Sequence, residues 1–240
     1  MEKVYVVAPV YNEEASIEAF VVEWHAVVAH ISGESRLLVV NDGSTDATLS
    51  LLDGLARRYS QLVVADKPNA GHGPAIHYGY EKALEAGADY IFQTDSDRQT
   101  SPRDFQPFWE ARDRFDACIG VRVDRQDGLA RRCVAAVLRL TLLAVFGLSI
   151  PDANTPFRLL RRTVLQDALA LIPRDHPLTN VMLSVVLAAQ KKTIDWLPIT
   201  FCARRSGVNS INLRRIVRMG LRAIRNFLAF RTTLHQAGLR

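Results

Sequence analysis

Tyr90-Ile91-Phe92-Gln93-Thr94-Asp95-Ser96-Asp97-Arg98-Gln99 is a short apolar run that breaks off on two carboxylates. Four or five β-prone residues without polar alternation mark a strand covered on both faces, as in a parallel sheet. Val4–Ala8, Leu37–Val40 and Leu62–Ala65 carry the same mark. Between these runs Ala15–His30, Thr45–Tyr59 and Pro74–Ala86 repeat apolar residues at helical spacing. Strand and helix in alternation predict an α/β fold built on a parallel sheet with right-handed crossovers. Ligands of such sheets bind outside the carboxyl ends of the strands, so the polar residues that follow each run define the candidate site.

Three polar clusters occupy those ends. Pro9-Val10-Tyr11-Asn12-Glu13 follows the first strand, Asn41-Asp42-Gly43-Ser44-Thr45-Asp46 the second, and Asp95-Ser96-Asp97-Arg98-Gln99 the fourth. Asp95 and Asp97, two residues apart in a loop, suit a hard cation. Mg²⁺ and Mn²⁺ prefer oxygen ligands, and Mg²⁺ typically takes one or two carboxylates together with substrate phosphates. An Asp-x-Asp is also a common solvated turn; its place after a buried strand is what singles this one out. Asn41–Ser44 reads as a turn leading to a helix N-cap at Ser44 or Thr45. That leaves Asp42 without a capping role and able to accept from a nucleobase N–H. Gly71-His72-Gly73-Pro74 sets backbone N–H groups at a helix start, where an anion is stabilised, although Gly and Pro also punctuate ordinary turns.

Further along, a fifth strand is expected at Ala117–Gly120, a long apolar helix at Leu129–Leu148, a strand near Phe157–Leu160, a helix from Arg162 and a strand at Thr193–Phe201. The stretch from Leu213 to about Phe230 has the pattern of an amphipathic helix. Leu213, Val217, Gly220, Leu221, Ile224 and Leu228 share one face, and Arg215, Arg218, Arg222 and Arg225 lie opposite. The expected organisation is one α/β domain over 1–212 and a basic helical tail over 213–240.

Charge is segregated along the 240 residues. Arg outnumbers Lys by 25 to 5, the net charge is +5, and no Asp or Glu follows Asp195. The planar fork of arginine matches phosphate oxygens, so an acid-free, Arg-rich end suggests a polyanionic partner. The arginines are not interleaved with exposed aromatics and no nucleic-acid module is visible, which argues against nucleic acid. Cys118, Cys133 and Cys202 are scattered and odd in number, as expected in a reducing compartment. No apolar run reaches the roughly 18 residues of a spanning helix. Val134–Ile150 comes nearest, and Arg139 interrupts it. With a strand at the very start no signal peptide is expected, and Arg125, Arg131 and Arg132 could meet lipid phosphates beside an interfacial helix. A protein peripheral to the cytoplasmic face of an anionic membrane is the expectation.

Taken together the motifs resemble the family 2 glycosyltransferases of the GT-A fold. The branch they look closest to contains the dolichyl- and polyprenyl-phosphate mannosyl- and glucosyltransferases. The matching residues run in the family's order: Pro9-x-Tyr11-Asn12-Glu13, Asp42-Gly43-Ser44-x-Asp46-x-Thr48, Gly71-x-Gly73-x-Ala75 and Asp95-x-Asp97-x-Gln99-x-x-Pro102. Gly120-x-Arg122, Asp152-x-Asn154-x-Pro156-Phe157-Arg158 and Phe201-x-x-Arg204-x-x-Gly207 complete the set. The resemblance implies a mainly parallel nucleotide-binding sheet flanked by helices, and a metal-dependent hexosyltransferase using a UDP- or GDP-sugar with Mg²⁺ or Mn²⁺. It implies that Pro9, Tyr11, Glu13 and Asp42 hold base and ribose, and that Gly71, Gly73 and Ser96 line the donor site. Asp95, Asp97 and Gln99 would hold metal and diphosphate, while Arg122, Arg131 or Arg132, and Arg204 would face phosphates.

Two departures bear on the acceptor. Many members read Gly-x-Ser-Lys where this chain has Gly207-Val208-Asn209-Ser210, without the lysine. Many members of the fold also carry an acid where this chain reads Thr179-Asn180-Val181-Met182. An alcohol is a poor nucleophile until a base removes its proton, and Asn cannot do so at neutral pH. A phosphate monoester is already an anion and needs positioning instead. Inverting transfer to a polyprenyl phosphate without a catalytic base is therefore expected. Asp152 and Asp175 are the candidate bases for the alternative, a sugar hydroxyl of a cell-envelope glycan or lipid. A non-catalytic nucleotide- or polyanion-binding protein is the other alternative. His25, His30 and His77 read as structural, Trp24, Trp109 and Trp196 as packing residues, and His72 as belonging to the site.

Overall fold

The computed structural model describes residues 2–123, 129–202 and 213–239; at 129–132, 213–219 and 221 it describes the backbone alone. The first half alternates as expected: β1 (Val4–Val10), α1 (Ile17–Ile31), β2 (Arg36–Asp42), α2 (Thr48–Arg58), β3 (Leu62–Lys67), α3 (His72–Glu85) and β4 (Tyr90–Gln93). A short 3₁₀ turn at Pro102–Asp104 leads into α4 (Phe105–Ala111), followed by β5 (Ala117–Val123) and α5 (Leu129–Phe146). Then come β6 (Arg158–Arg161), α6 (Arg162–Leu169), α7 (Thr179–Ala189), β7 (Ile194–Thr200) and α8 (Leu213–Gln236). The seven strands form one sheet in the order β3-β2-β1-β4-β6-β5-β7. Only β6 runs antiparallel to its neighbours, through pairs such as Phe92↔Leu159 and Cys118↔Leu159.

That arrangement decides where the site lies. The chain leaves β1 for β2 on one side and reaches β4 on the other, so the order reverses at β1, where a crevice opens beyond the strand ends. β5 and β7 point the same way as β1 and β4, so Arg122 and Phe201 arrive at the same edge. The reversal of β6 brings its first residues, from Phe157, to that edge too.

Two apolar layers cover the sheet. On one face Trp24, Phe92, Phe105, Phe108 and Phe157 interlock, with Phe92 and Phe157 in edge contact at 4.6 Å between centroids. On the other face α3, α6 and α7 pack with the ends of α5 and α8. Gly79 lets α3 sit close on the sheet, since a Cβ there would lie 2.5 Å from Val7 Cγ1. Cys118, Cys133 and Cys202 are unpaired.

One expectation needs correcting, and two helices divide their faces in ways the pattern did not specify. The second helix is not capped by Ser44 or Thr45; it begins at Thr48, whose N–H is held by Asp46 Oδ1 at 3.0 Å. The apolar stripe containing Ile224 and Leu228 is not the packed face of α8. Phe227, Phe230 and Leu234 are buried, while Ile224 and Leu228 are 40% and 52% exposed. The Leu129–Leu148 helix is neither wholly buried nor wholly peripheral: Leu142 and Val145 enter the core, whereas Val134, Val137, Leu140 and Leu143 are exposed.

Candidate active site

The polar clusters do converge. A cleft of about 380 Å³ opens where β1 and β4 end, lined by Pro9, Tyr11, Glu13 and Asp42, by Gly71, and by Asp95, Ser96 and Asp97. Its walls are tied to one another. Asn12, at φ +53°, accepts from Thr45 N–H at 2.8 Å, and its own N–H donates to Ser44 Oγ at 3.0 Å. Glu13 N–H donates to Thr48 Oγ1, and Ser16 Oγ donates to Glu13 Oε2 at 2.8 Å. Ser96 Oγ donates to Pro9 O at 2.9 Å, joining the ends of β1 and β4. Ser44 thus serves as a brace between two loops rather than as a cap.

Asp42 does more than the sequence suggested. Its carboxylate accepts from Lys67 Nζ, from Ala70 N–H at 3.0 Å and from Gly71 N–H at 2.8 Å. It therefore shapes the loop that carries Gly71, whose φ of +96° suits glycine. Gly73, expected in the donor site, lies outside the lining of this cleft. A Cβ there would lie 2.3 Å from His176 O, and Thr179 Oγ1 donates to Gly73 O at 3.0 Å. Gly73 locks the start of α3 against the following layer.

Asp95 and Asp97, the expected cation ligands, both line this cleft. Among the described residues, no three His, Cys, Asp or Glu side chains converge as a closed metal cage. The residues fit an open site of one or two carboxylates completed by substrate phosphates. Asp95 Oδ1 is buried without a hydrogen-bond partner, an acceptor left to be satisfied by something bound. Gln99, the third expected ligand, is anchored through its amide nitrogen and its backbone. It is buried, its Nε2 donates to Cys202 O at 2.9 Å, and Cys202 N–H donates back to Gln99 O at 2.8 Å. It pins the end of β7 to the Asp-x-Asp loop.

Beneath this edge lies a buried cation that the sequence reading left without a role. Arg158 is fully enclosed and donates to Thr155 O at 2.6 Å, Asn180 O at 3.1 Å and Ser184 Oγ at 3.4 Å. Burial lowers its pKa, and the nearby Tyr80, Asp152 and Asp95 oppose that shift. Tyr80, whose hydroxyl donates to Gln93 Oε1 at 2.7 Å, is pushed up by burial.

A second cleft, about 480 Å³, adjoins the first and shares His72 and Asp95 with it. One wall is polar: Arg122 donates from Nε and Nη2 to Asp152 at 2.7 Å each, and its guanidinium lies 5.0 Å from the Phe201 ring. The opposite wall is α5, through Val134, Leu138 and Arg139. Thr179 and Asn180, both buried, line neither cleft, and Asp175 is exposed away from them. The side chains of Arg131 and Arg132, in the first turn of α5, lie outside the described residues, as do Arg125, Arg204 and the Gly207–Ser210 segment.

With this geometry in hand, comparison with known proteins is informative. The family model described as Glycosyl transferase family 2 matches residues 5–169. The undecaprenyl-phosphate 4-deoxy-4-formamido-L-arabinose transferase of Pseudomonas aeruginosa is 30% identical over 173 residues, 71% of this chain and 50% of that protein. Its counterpart in Pectobacterium atrosepticum is 25% identical over 222 residues, 91% of this chain and 65% of that one. The chain thus spans about half the length of the first of these relatives. Among solved structures, glucosyl-3-phosphoglycerate synthase from Mycobacterium tuberculosis, in complex with Mn²⁺, UDP and phosphoglyceric acid, superposes with a TM-score of 0.62. It is 19% identical and covers 100% of this chain and 80% of its own. S. aureus TarS in complex with UDP-GlcNAc gives 0.59 at 17% identity, covering 94% and 66%. At such identities the structures show the fold, which is of the GT-A type.

Proposed function

The chain belongs to glycosyl transferase family 2, and on that premise we propose that it moves a sugar from a nucleotide-sugar donor to a polyprenyl phosphate. The observation that carries this reading is the meeting of two unlike clefts at Asp95 and His72. The first is lined by carboxylates and backbone, as a nucleoside diphosphate with its cation requires. The second joins an arginine to an apolar helix, as a phosphate on a hydrocarbon chain requires.

In this reading Tyr11, Glu13 and Asp42 hold the nucleoside, and Asp95 with Asp97 would hold Mg²⁺ or Mn²⁺ on the diphosphate. The cation, when bound, neutralises charge on the departing nucleoside diphosphate. Arg122 orients the acceptor phosphate, and its planar fork is itself oriented by Asp152. An acceptor oxygen forms a bond to the anomeric carbon as the bond to the diphosphate oxygen breaks, inverting that centre. The lone pair comes from the phosphate, so no proton has to be removed. UDP in the M. tuberculosis and S. aureus structures supports a uridine donor, and the names of the curated relatives support a polyprenyl phosphate acceptor.

The alternative, transfer to a sugar hydroxyl, would need a base in the second cleft. Among the described residues the carboxylates lining it are Asp95 and Asp152, and Asp152 has both oxygens engaged by Arg122. The test supplies radiolabelled UDP- and GDP-sugars with either polyprenyl phosphate or a panel of sugar alcohols. Label on the phosphate is expected; label only on hydroxyl acceptors would overturn the assignment.

Attachment to an anionic membrane surface fits the same geometry. Among the described residues, six of the eleven exposed large apolar side chains sit on α5 and α8: Val134, Val137, Leu140, Leu143, Ile224 and Leu228. Arg139, Arg222 and Arg225 are exposed on the same two helices. Among the described residues no helix is long and apolar enough to cross a membrane. The combination is that of a surface lying in a lipid interface.

A further inference from the structure

We propose that His72 is an acceptor-binding residue, donating a hydrogen bond from its imidazole to the acceptor phosphate at the seam between the two clefts. This rests on the polyprenyl phosphate reading and assigns a further side chain to acceptor binding. His72 lines both clefts, a position it shares with Asp95. Its side chain is 54% exposed, and Nε2 stands 3.6 Å from Asp95 Oδ1. That distance exceeds a hydrogen bond, so an Nε2–H can turn to a group held in the cleft beside it.

The ring is well placed for such a role because its base is fixed. His72 is the first residue of α3, and the next residue, Gly73, is held by Thr179 and packed on His176. The ring therefore projects from a rigid helix start on two side-chain torsions, and ordering it costs little entropy. Arg122 is drawn to Asp152 on the far wall, and Arg139, the other described arginine of this cleft, comes from α5. Arg122 and His72 line the same cleft and His72 also lines the donor cleft, so a phosphate held by His72 would sit where the two clefts meet, as attack on the donor requires.

The experiment measures binding of farnesyl phosphate, and separately of UDP with Mn²⁺, to wild type, His72→Ala and His72→Gln, alongside transfer kinetics. His72→Ala should weaken farnesyl phosphate binding about tenfold, the usual cost of losing a hydrogen bond to a charged group. The acceptor KM should rise in step, while UDP affinity stays within about twofold. His72→Gln, which can place an amide N–H in the same region, should recover most of the loss. Unchanged farnesyl phosphate binding in His72→Ala, a loss confined to UDP, or a glutamine variant no better than alanine would each overturn the proposal. If wild type neither binds farnesyl phosphate nor transfers to polyprenyl phosphate, it is the acceptor reading that fails. That result is distinct from an active wild type matched by its variant.

Discussion

Arg122 and Asp152 are locked in a two-pronged ion pair, with Nε and Nη2 of the guanidinium each 2.7 Å from a carboxylate oxygen and both side chains 10% exposed. A carboxylate so engaged orients its partner; it is poorly placed to take a proton from an acceptor.

Asp152→Asn distinguishes these roles. The amide oxygen can still accept one guanidinium N–H, so Arg122 should remain nearly in place. The expected loss in acceptor kcat/KM is about tenfold or less, with nucleotide affinity unchanged. Removal of a general base would cost on the order of 10²–10⁴-fold. Steady-state kinetics with polyprenyl phosphate decide between the two.

The cation site gives a second prediction. Asp97→Asn should abolish transfer while leaving the thermal unfolding curve unchanged, because Asp97 sits in a loop where its hydrogen bond to Gln99 N–H at 3.1 Å can be kept by an amide oxygen. Excess chelator should silence the wild type to the same degree. Full turnover under either condition would show that neither the acid nor the ion is needed.

Arg158 makes a prediction about stability rather than chemistry. Arg158→Met removes the donors serving Thr155 O inside the core, while Asn180 O and Ala153 O stay within reach of the Ser184 hydroxyl. An unpaired buried carbonyl costs roughly 1–3 kcal/mol, so a loss of about that size is expected in urea denaturation. Arg158→Lys should rescue little, because one ammonium cannot reach oxygens arranged around a planar fork.

The folded state also carries a pH dependence. His77 has its pKa lowered, chiefly by burial, with Glu81 opposing and Arg174 reinforcing the shift; burial lowers His176 as well. A histidine depressed in the native state binds fewer protons there than in the unfolded chain. Its contribution is present above the unfolded pKa, near 6.5, and is lost as pH falls through that value toward the native one. Stability should decline from about pH 7 to pH 5, and His77→Leu should flatten the decline. Asp46 and Asp116, also lowered, act only near and below the ordinary carboxylate pKa, so their effect falls in a separate, more acid window.

How far this site could be read from the sequence depends on the range of each interaction. The strands of the first half are continuous apolar runs, and the residues after them had to share an edge once the sheet was parallel. Asp95, Asp97, Tyr11 and Glu13 were therefore legible. The partners of Asp42 were not, because Lys67 lies 25 residues away and nothing local signals the pairing. α7 escaped notice for another reason: nearly every side chain from Thr179 to Ala189 is buried, so it has no polar face and no helical periodicity to detect. Arg158 read as one more basic residue in a Phe-Arg motif, and only the reversal of β6 turns it inward. Ser44 carries the residue type of a cap, but tertiary contacts with Asn12 and Asn41 claim its hydroxyl.

The last prediction concerns what α5 and α8 touch. Val137, Leu140 and Leu143 are 63%, 62% and 49% exposed, a level of apolar exposure that a solvated surface rarely tolerates on one helix. Two forces would act at a lipid interface, and salt separates them. Arg139, Arg222 and Arg225 would each contribute about 1 kcal/mol near an anionic surface. Replacing all three by Gln should therefore weaken binding to phosphatidylglycerol-containing vesicles on the order of 100-fold at low salt. The residual binding should be less sensitive to salt, since screening acts on charge alone. Replacing Val137 and Leu140 by Gln should instead weaken binding at every ionic strength, and the residue should keep its salt dependence. A wild type that ignores anionic vesicles at low salt would remove the membrane from the picture. The same apolar face would then have to be covered by protein, and its mass in solution would be the next measurement.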